Sequence, residues 1–138
     1  METRLRTSVE IRFSDIDIAG HVHNSKYLDY FENGRMAYLA QFVPADHDWL
    51  KESMLVVRNE LEYHRSVRLN ERIFVDTWCS RLGNTSFDLR YRVIMLEGDK
   101  ELLCTSGRST MVCVRLDTRK TIPIPSAWRR SMVVLEEA

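Results

Sequence analysis

The chain has 138 residues and a mass of 16.3 kDa, which is room for one domain with a single core and too little for two catalytic domains. Its 44% hydrophobic and 29% charged content, with only 5 Gly and 3 Pro, excludes the disordered, collagenous and low-complexity classes. The 20 Lys and Arg balance 20 Asp and Glu, so no global field would gather nucleic acid or anionic lipid, and any basic site must be local.

The N-terminal run METRLRTSVEIR carries charge where a signal peptide needs an apolar core, and no apolar run nears the ~20 residues that cross a bilayer. A cytoplasmic location without a membrane partner is expected. Val9, Ile11 and Phe13 alternate with Glu10, Arg12 and Ser14, the period of a short first strand with one buried face. The next run, DIDIAGHVHN from Asp15 to Asn24, has two carboxylates, a glycine and two histidines without a sustained period, which reads as a loop holding polar groups.

From Ser25, Tyr27, Tyr30, Phe31, Gly34, Ala37, Tyr38 and Gln41 recur at spacings of three and four. This predicts a helix of about five turns, roughly 25 Å long. Asn24 or Ser25 is the expected cap, and Asp29 puts negative charge near the positive end of the dipole. Gly34 on the apolar side lets a sheet approach closely.

Phe42 to Lys51, with Pro44, is a connecting loop. Four strands follow, over Leu55 to Tyr63, Ile73 to Cys79, Phe87 to Met95 and Leu102 to Leu116, with turns at Leu82 to Ser86 and Glu97 to Lys100; hairpins are expected to link them. Cys79, Cys104 and Cys113 fall in these runs, are odd in number and form no C-x-x-C pair, so they read as reduced core residues. A short helical tail begins at Ser126. The order of elements predicts an α+β fold, one domain over residues 1–138, with a five-stranded antiparallel sheet covered on one face by the helix. The remaining face and edge predict a homo-oligomer.

The ordered set Asp15, Asp17, Gly20, His21, Asn24 and Tyr27 within IRFSDIDIAGHVHNSKYLDYFENGR resembles the hot-dog fold acyl-CoA thioesterases, in particular the 4-hydroxybenzoyl-CoA thioesterase-like group. Tyr63-His64-Arg65 and Gly83 to Ser86 resemble that family's second strand and third hairpin. The resemblance implies a sheet wrapped around a central helix, homodimers or homotetramers with sites at subunit interfaces, and hydrolysis of an acyl thioester of coenzyme A or of an acyl carrier protein. It implies that Asp17 is the catalytic carboxylate and that the backbone N–H of Asn24 polarises the thioester carbonyl.

The chemistry needs an attacking oxygen, supplied by a carboxylate acting as nucleophile or as base for water, and a donor for the developing oxyanion. Asp17 and the helix start at Asn24 satisfy both without a metal or cofactor. Asp15 reads as structural, accepting backbone N–H groups. His21 and His23 are placed to orient water or exchange a proton with Asp17. Tyr27 borders the expected acyl pocket, and Ser86 falls where relatives have a serine near the site, with a turn role as its plainer reading. Arg58, Arg65, Arg68, Arg90 and Arg92 are equal candidates for the phosphates of coenzyme A, the basic pairs Arg119-Lys120 and Arg129-Arg130 are equally open, and a solvated strand face is the plainer reading of such charges.

Overall fold

The computed structural model describes residues 1–135; the last three residues of the predicted tail lie outside the described residues. Strands β1 (Arg4–Val9), β2 (Ser53–Tyr63), β3 (Arg72–Leu82), β4 (Ser86–Glu97) and β5 (Lys100–Arg115) form an antiparallel sheet in the order β1-β3-β4-β5-β2, with a two-residue β6 (Lys120–Thr121) on β5. Helix α1 (Tyr27–Ala40) packs on β1, β3 and β4, and a short α2 (Ser126–Ser131) follows the last strand.

Tyr30, Phe31, Tyr38 and Leu39 on one side of α1 are buried against Val75, Cys79, Leu89, Tyr91 and Val93 of the sheet. Phe31 stacks on Tyr91 with ring centroids 4.4 Å apart and planes 7° from parallel. At Gly34 a Cβ would stand 2.8 Å from Cγ1 of Val75 and closer still to Oγ1 of Thr77, so the missing side chain sets the helix-to-sheet distance. All three cysteines are free and buried, and burial pushes their thiols up, to about 11 for Cys79 and Cys104 and about 12 for Cys113.

Three expectations need correction. The first strand lies at Arg4–Val9, where it pairs with β3 from Arg4↔Trp78 to Val9↔Ile73. Beyond it a 3-10 turn over Phe13–Asp15 is closed by the Asp15 N–H on the Arg12 carbonyl at 2.9 Å, and Phe13 is left exposed. The helix begins with a separate 3-10 turn, Asn24–Lys26, because the Lys26 N–H bonds the carbonyl of His23 three residues back. Its cap is His23, whose Nδ1 accepts the Ser25 N–H at 3.2 Å; neither Asn24 nor Ser25 caps it. Finally, β2 and β3 are not a hairpin: β2 pairs with β5 and occupies the edge opposite β1.

Candidate active site

The loop between β1 and α1 is built around its two aspartates, which have opposite environments. Asp15 is fully buried. Its carboxylate accepts the Arg12 N–H at 3.0 Å, the Arg12 guanidinium at 3.1 Å and the Tyr30 hydroxyl at 2.8 Å, and its carbonyl accepts the His23 N–H at 2.8 Å. Burial alone would raise the Asp15 carboxyl; the Arg12 N–H, the Tyr30 hydroxyl and the Arg12 guanidinium outweigh it and hold the group below the usual carboxylate range. This is the structural role read from the sequence.

Asp17 is partly exposed. Its Oδ1 accepts the N–H groups of Ala19 at 2.9 Å and His21 at 3.1 Å, and its own N–H bonds the His21 carbonyl at 2.8 Å. The turn closes through Gly20, whose φ of +85° favours glycine. Both side-chain bonds fall on one oxygen, so Oδ2 has no partner among the described residues.

Asp17, His21, Val22, His23, Asn24 and Tyr27 line one cleft of about 520 Å³, with Tyr63, His64, Arg65 and Ser66 opposite. The curl of the sheet brings the end of β2 to the start of the helix. The Tyr63 hydroxyl donates to the Asn24 carbonyl at 3.0 Å, and the Tyr63 and Tyr27 rings meet edge to face at 5.5 Å. The Asn24 N–H, at the first position of the 3-10 turn, has no acceptor among the described residues, as expected of an N-terminal donor. Tyr27 is itself buried, which pushes its hydroxyl up to about 12, so it presents a neutral phenol.

Five of the six residues named from the sequence, Asp17, His21, His23, Asn24 and Tyr27, therefore share this cleft. Ser86 does not line it: Ser86 begins β4, its Oγ accepts from Arg81 at 2.9 Å and its carbonyl accepts the Gly83 N–H at 2.7 Å, which is a turn role within this chain. Sequence reasoning did not assign His64 or Ser66 to the site; the signal was the polar run that ends β2. His64 Nε2 lies 2.9 Å from the Ser106 Oγ, which anchors this wall of the cleft to β5.

The model of one family, described as the thioesterase-like superfamily, matches residues 11–132, from the loop through the last helix. The chain belongs to this superfamily. Its sheet order and single long helix are those of the hot-dog thioesterases. The structure of a predicted thioesterase from Bacillus stearothermophilus is similar with a TM-score of 0.86 and 27% identity, over 98% of this chain and 99% of that one. A Thermus thermophilus thioesterase complexed with coenzyme A and Zn is 30% identical at a TM-score of 0.76, over 91% and 94%. In sequence, a 1,4-dihydroxy-2-naphthoyl-CoA hydrolase of Microcystis aeruginosa is 26% identical over 92% of this chain and 94% of its own length. Among the described residues no helix is long and apolar enough to cross a membrane. The cleft brings together a carboxylate held by its own turn and, at the start of the helix, an N–H with no acceptor among the described residues.

Proposed function

We propose that the chain hydrolyses an acyl-CoA thioester to the free acid and coenzyme A, with Asp17 as nucleophile or general base and the Asn24 N–H as oxyanion donor. The observation that carries this reading is the pairing on one cleft of a carboxylate whose two bonds both fall on Oδ1 with a backbone N–H that has no acceptor among the described residues. Coenzyme A as the carrier is supported by the similar Thermus thermophilus and Microcystis aeruginosa proteins.

In the direct route an Asp17 oxygen attacks the thioester carbon, the C–S bond breaks, and the thiol leaves; water then cleaves the resulting anhydride. In the other route Asp17 takes a proton from water, which attacks instead. In both, the carbonyl oxygen gains negative charge that the Asn24 N–H and the helix dipole stabilise. His21 and His23 line the same cleft as Asp17, where they would orient water or exchange a proton, and Tyr27 would border the acyl group. A single turnover in labelled water tests the direct route, because label enters the enzyme carboxylate only when water opens the anhydride at the aspartyl carbon, which the general-base route never forms.

The active unit is proposed to be a homodimer or a higher homo-oligomer joined at the β2 edge, where Leu55 and Val57 are 50% and 58% exposed. A substrate contact from Ser86 requires a second subunit whose hairpin reaches the cleft. The test is thiol release from short, long and aromatic acyl-CoAs by wild type and Asp17→Asn. Release by wild type with a loss of ~10² or more in the variant supports the mechanism. Unchanged turnover in the variant overturns it, and release only from an acyl carrier protein moves the substrate to that carrier.

A further inference from the structure

Five arginines were equal candidates for phosphate contacts in the sequence, and their positions in the fold separate them. Arg58 is paired with Glu60 on the β2 edge. The Arg92 guanidinium lies 5.6 Å from the Trp78 ring centroid, on the sheet face away from the helix, and Arg90 lines a different groove with Glu60 and Glu62. Arg65 and Arg68 open onto a second groove of about 730 Å³ that also receives Arg72.

This groove shares His21, Arg65 and Ser66 with the Asp17 cleft, so the two adjoin across these residues. The backbone holds them together: His21 forms a β-bridge with Arg68, and the Val22 N–H bonds the Val67 carbonyl at 2.7 Å. The second groove is also walled by Glu71 and Glu97. Glu71 is already engaged, accepting the Arg68 N–H at 3.0 Å. Arg72 lines the far side, with its guanidinium 5.3 Å from the Phe74 ring centroid, so Arg65, shared with the Asp17 cleft, and Arg68, bridged to His21, are the arginines beside the reacting centre.

We propose that the groove of Arg65, Arg68 and Arg72 binds the phosphates of the coenzyme A nucleotide while the thioester sits at Asp17. This rests on the acyl-CoA reading above. A substrate with a reactive acyl end and a phosphorylated far end spans the two adjoining cavities in that order, with Arg65 at the junction. Guanidinium groups suit it because they donate in pairs to phosphate oxygens and stay charged at every working pH.

The test compares one acyl group on coenzyme A, on 3′-dephospho-coenzyme A and on pantetheine, with wild type, Arg65→Ala, Arg68→Ala and Arg58→Ala. In wild type, kcat/KM falls about tenfold or more from coenzyme A to pantetheine, through KM, as expected when charge-assisted contacts are removed. In Arg65→Ala and Arg68→Ala that preference collapses towards one, while Arg58→Ala retains it. Raising the salt erodes the preference in wild type and not in the groove variants. The inference is overturned if both groove variants keep the full preference, or if wild type has none although it cleaves acyl-CoA; the thioesterase reading survives either result. Wild type that cleaves no coenzyme A ester overturns the acyl-CoA reading itself, and this inference with it.

Discussion

The Tyr30 hydroxyl, one turn into the helix, donates a 2.8 Å hydrogen bond to Oδ2 of Asp15, a carboxylate with no solvent exposure. That bond ties the loop to the helix and fixes where Asp17, two residues on, projects. Asp15 also binds the Arg12 N–H and side chain, so one buried anion ties its own 3-10 turn to the helix.

Tyr30→Phe removes one donor from this anion and is expected to cost about 1–3 kcal/mol, since a buried acceptor is left short of a partner. The pH dependence has a definite sign. The Asp15 carboxyl is held below its usual range, so its contribution is present above the unfolded value of about 3.9 and is lost as pH falls through the lower native value. Asp88, which its bonds from Arg81 at 3.1 Å and Thr110 at 2.8 Å hold low against burial, acts in the same direction. Thermal melts across pH 2 to 5 should show wild type losing stability on acidification and Tyr30→Phe losing it at a higher pH.

His23 closes the turn that presents the Asn24 N–H, through an Nδ1 that accepts from Ser25. Replacing it by Ala should cost about 1 kcal/mol, as at other helix caps, and should lower kcat with the cap. His23→Asn restores a side-chain acceptor without an imidazole. Recovery of kcat in the Asn variant would assign His23 to positioning; failure to recover, in a protein of wild-type melting temperature, would assign it to proton transfer.

Gly34→Ala is expected to destabilise although alanine favours helices by ~1 kcal/mol over glycine. The added carbon meets Cγ1 of Val75 at 2.8 Å and the Thr77 hydroxyl closer still, on a strand that cannot yield without moving β1 and β4. Overpacking of this kind costs about 1–3 kcal/mol, and urea unfolding should show the midpoint fall.

Val57, more than half exposed on the β2 edge, tests the assembly. Val57→Lys places a charge where a second chain would pair, a common way of blocking edge association. Sedimentation should show wild type as a dimer or larger and the variant as smaller species, with activity falling in step.

Much of this was readable in the chain, for reasons that particular residues make plain. Phe87, Leu89, Tyr91 and Val93 alternate because β4 is central and has one face on the helix, so its period of two is undiluted. The site loop was legible because its residue types are chemically unusual in an ordered set. The first strand was misplaced because Arg4 and Arg6 look solvent-facing in sequence. Their partners, the Trp78 ring and the carboxylates of Asp76 and Glu101, lie far along the chain. The pairing of β2 with β5 was hidden for the same reason. The five arginines could be sorted only once the curl of the sheet had brought Arg65 and Arg68 beside His21.

That curl also governs when the cleft can exist. The loop after β1 and the end of β2 belong to opposite edges of the sheet, yet Tyr63 reaches Asn24 across 39 residues of sequence and His21 bridges to Arg68. Closing such distant segments carries an entropic cost that grows with their separation, and it is recovered only after the intervening strands have paired. A half-folded chain therefore holds every residue of the site, and even its local turns, but not the cleft that joins them. During refolding, catalytic competence should appear with the last cooperative step, not gradually with secondary structure.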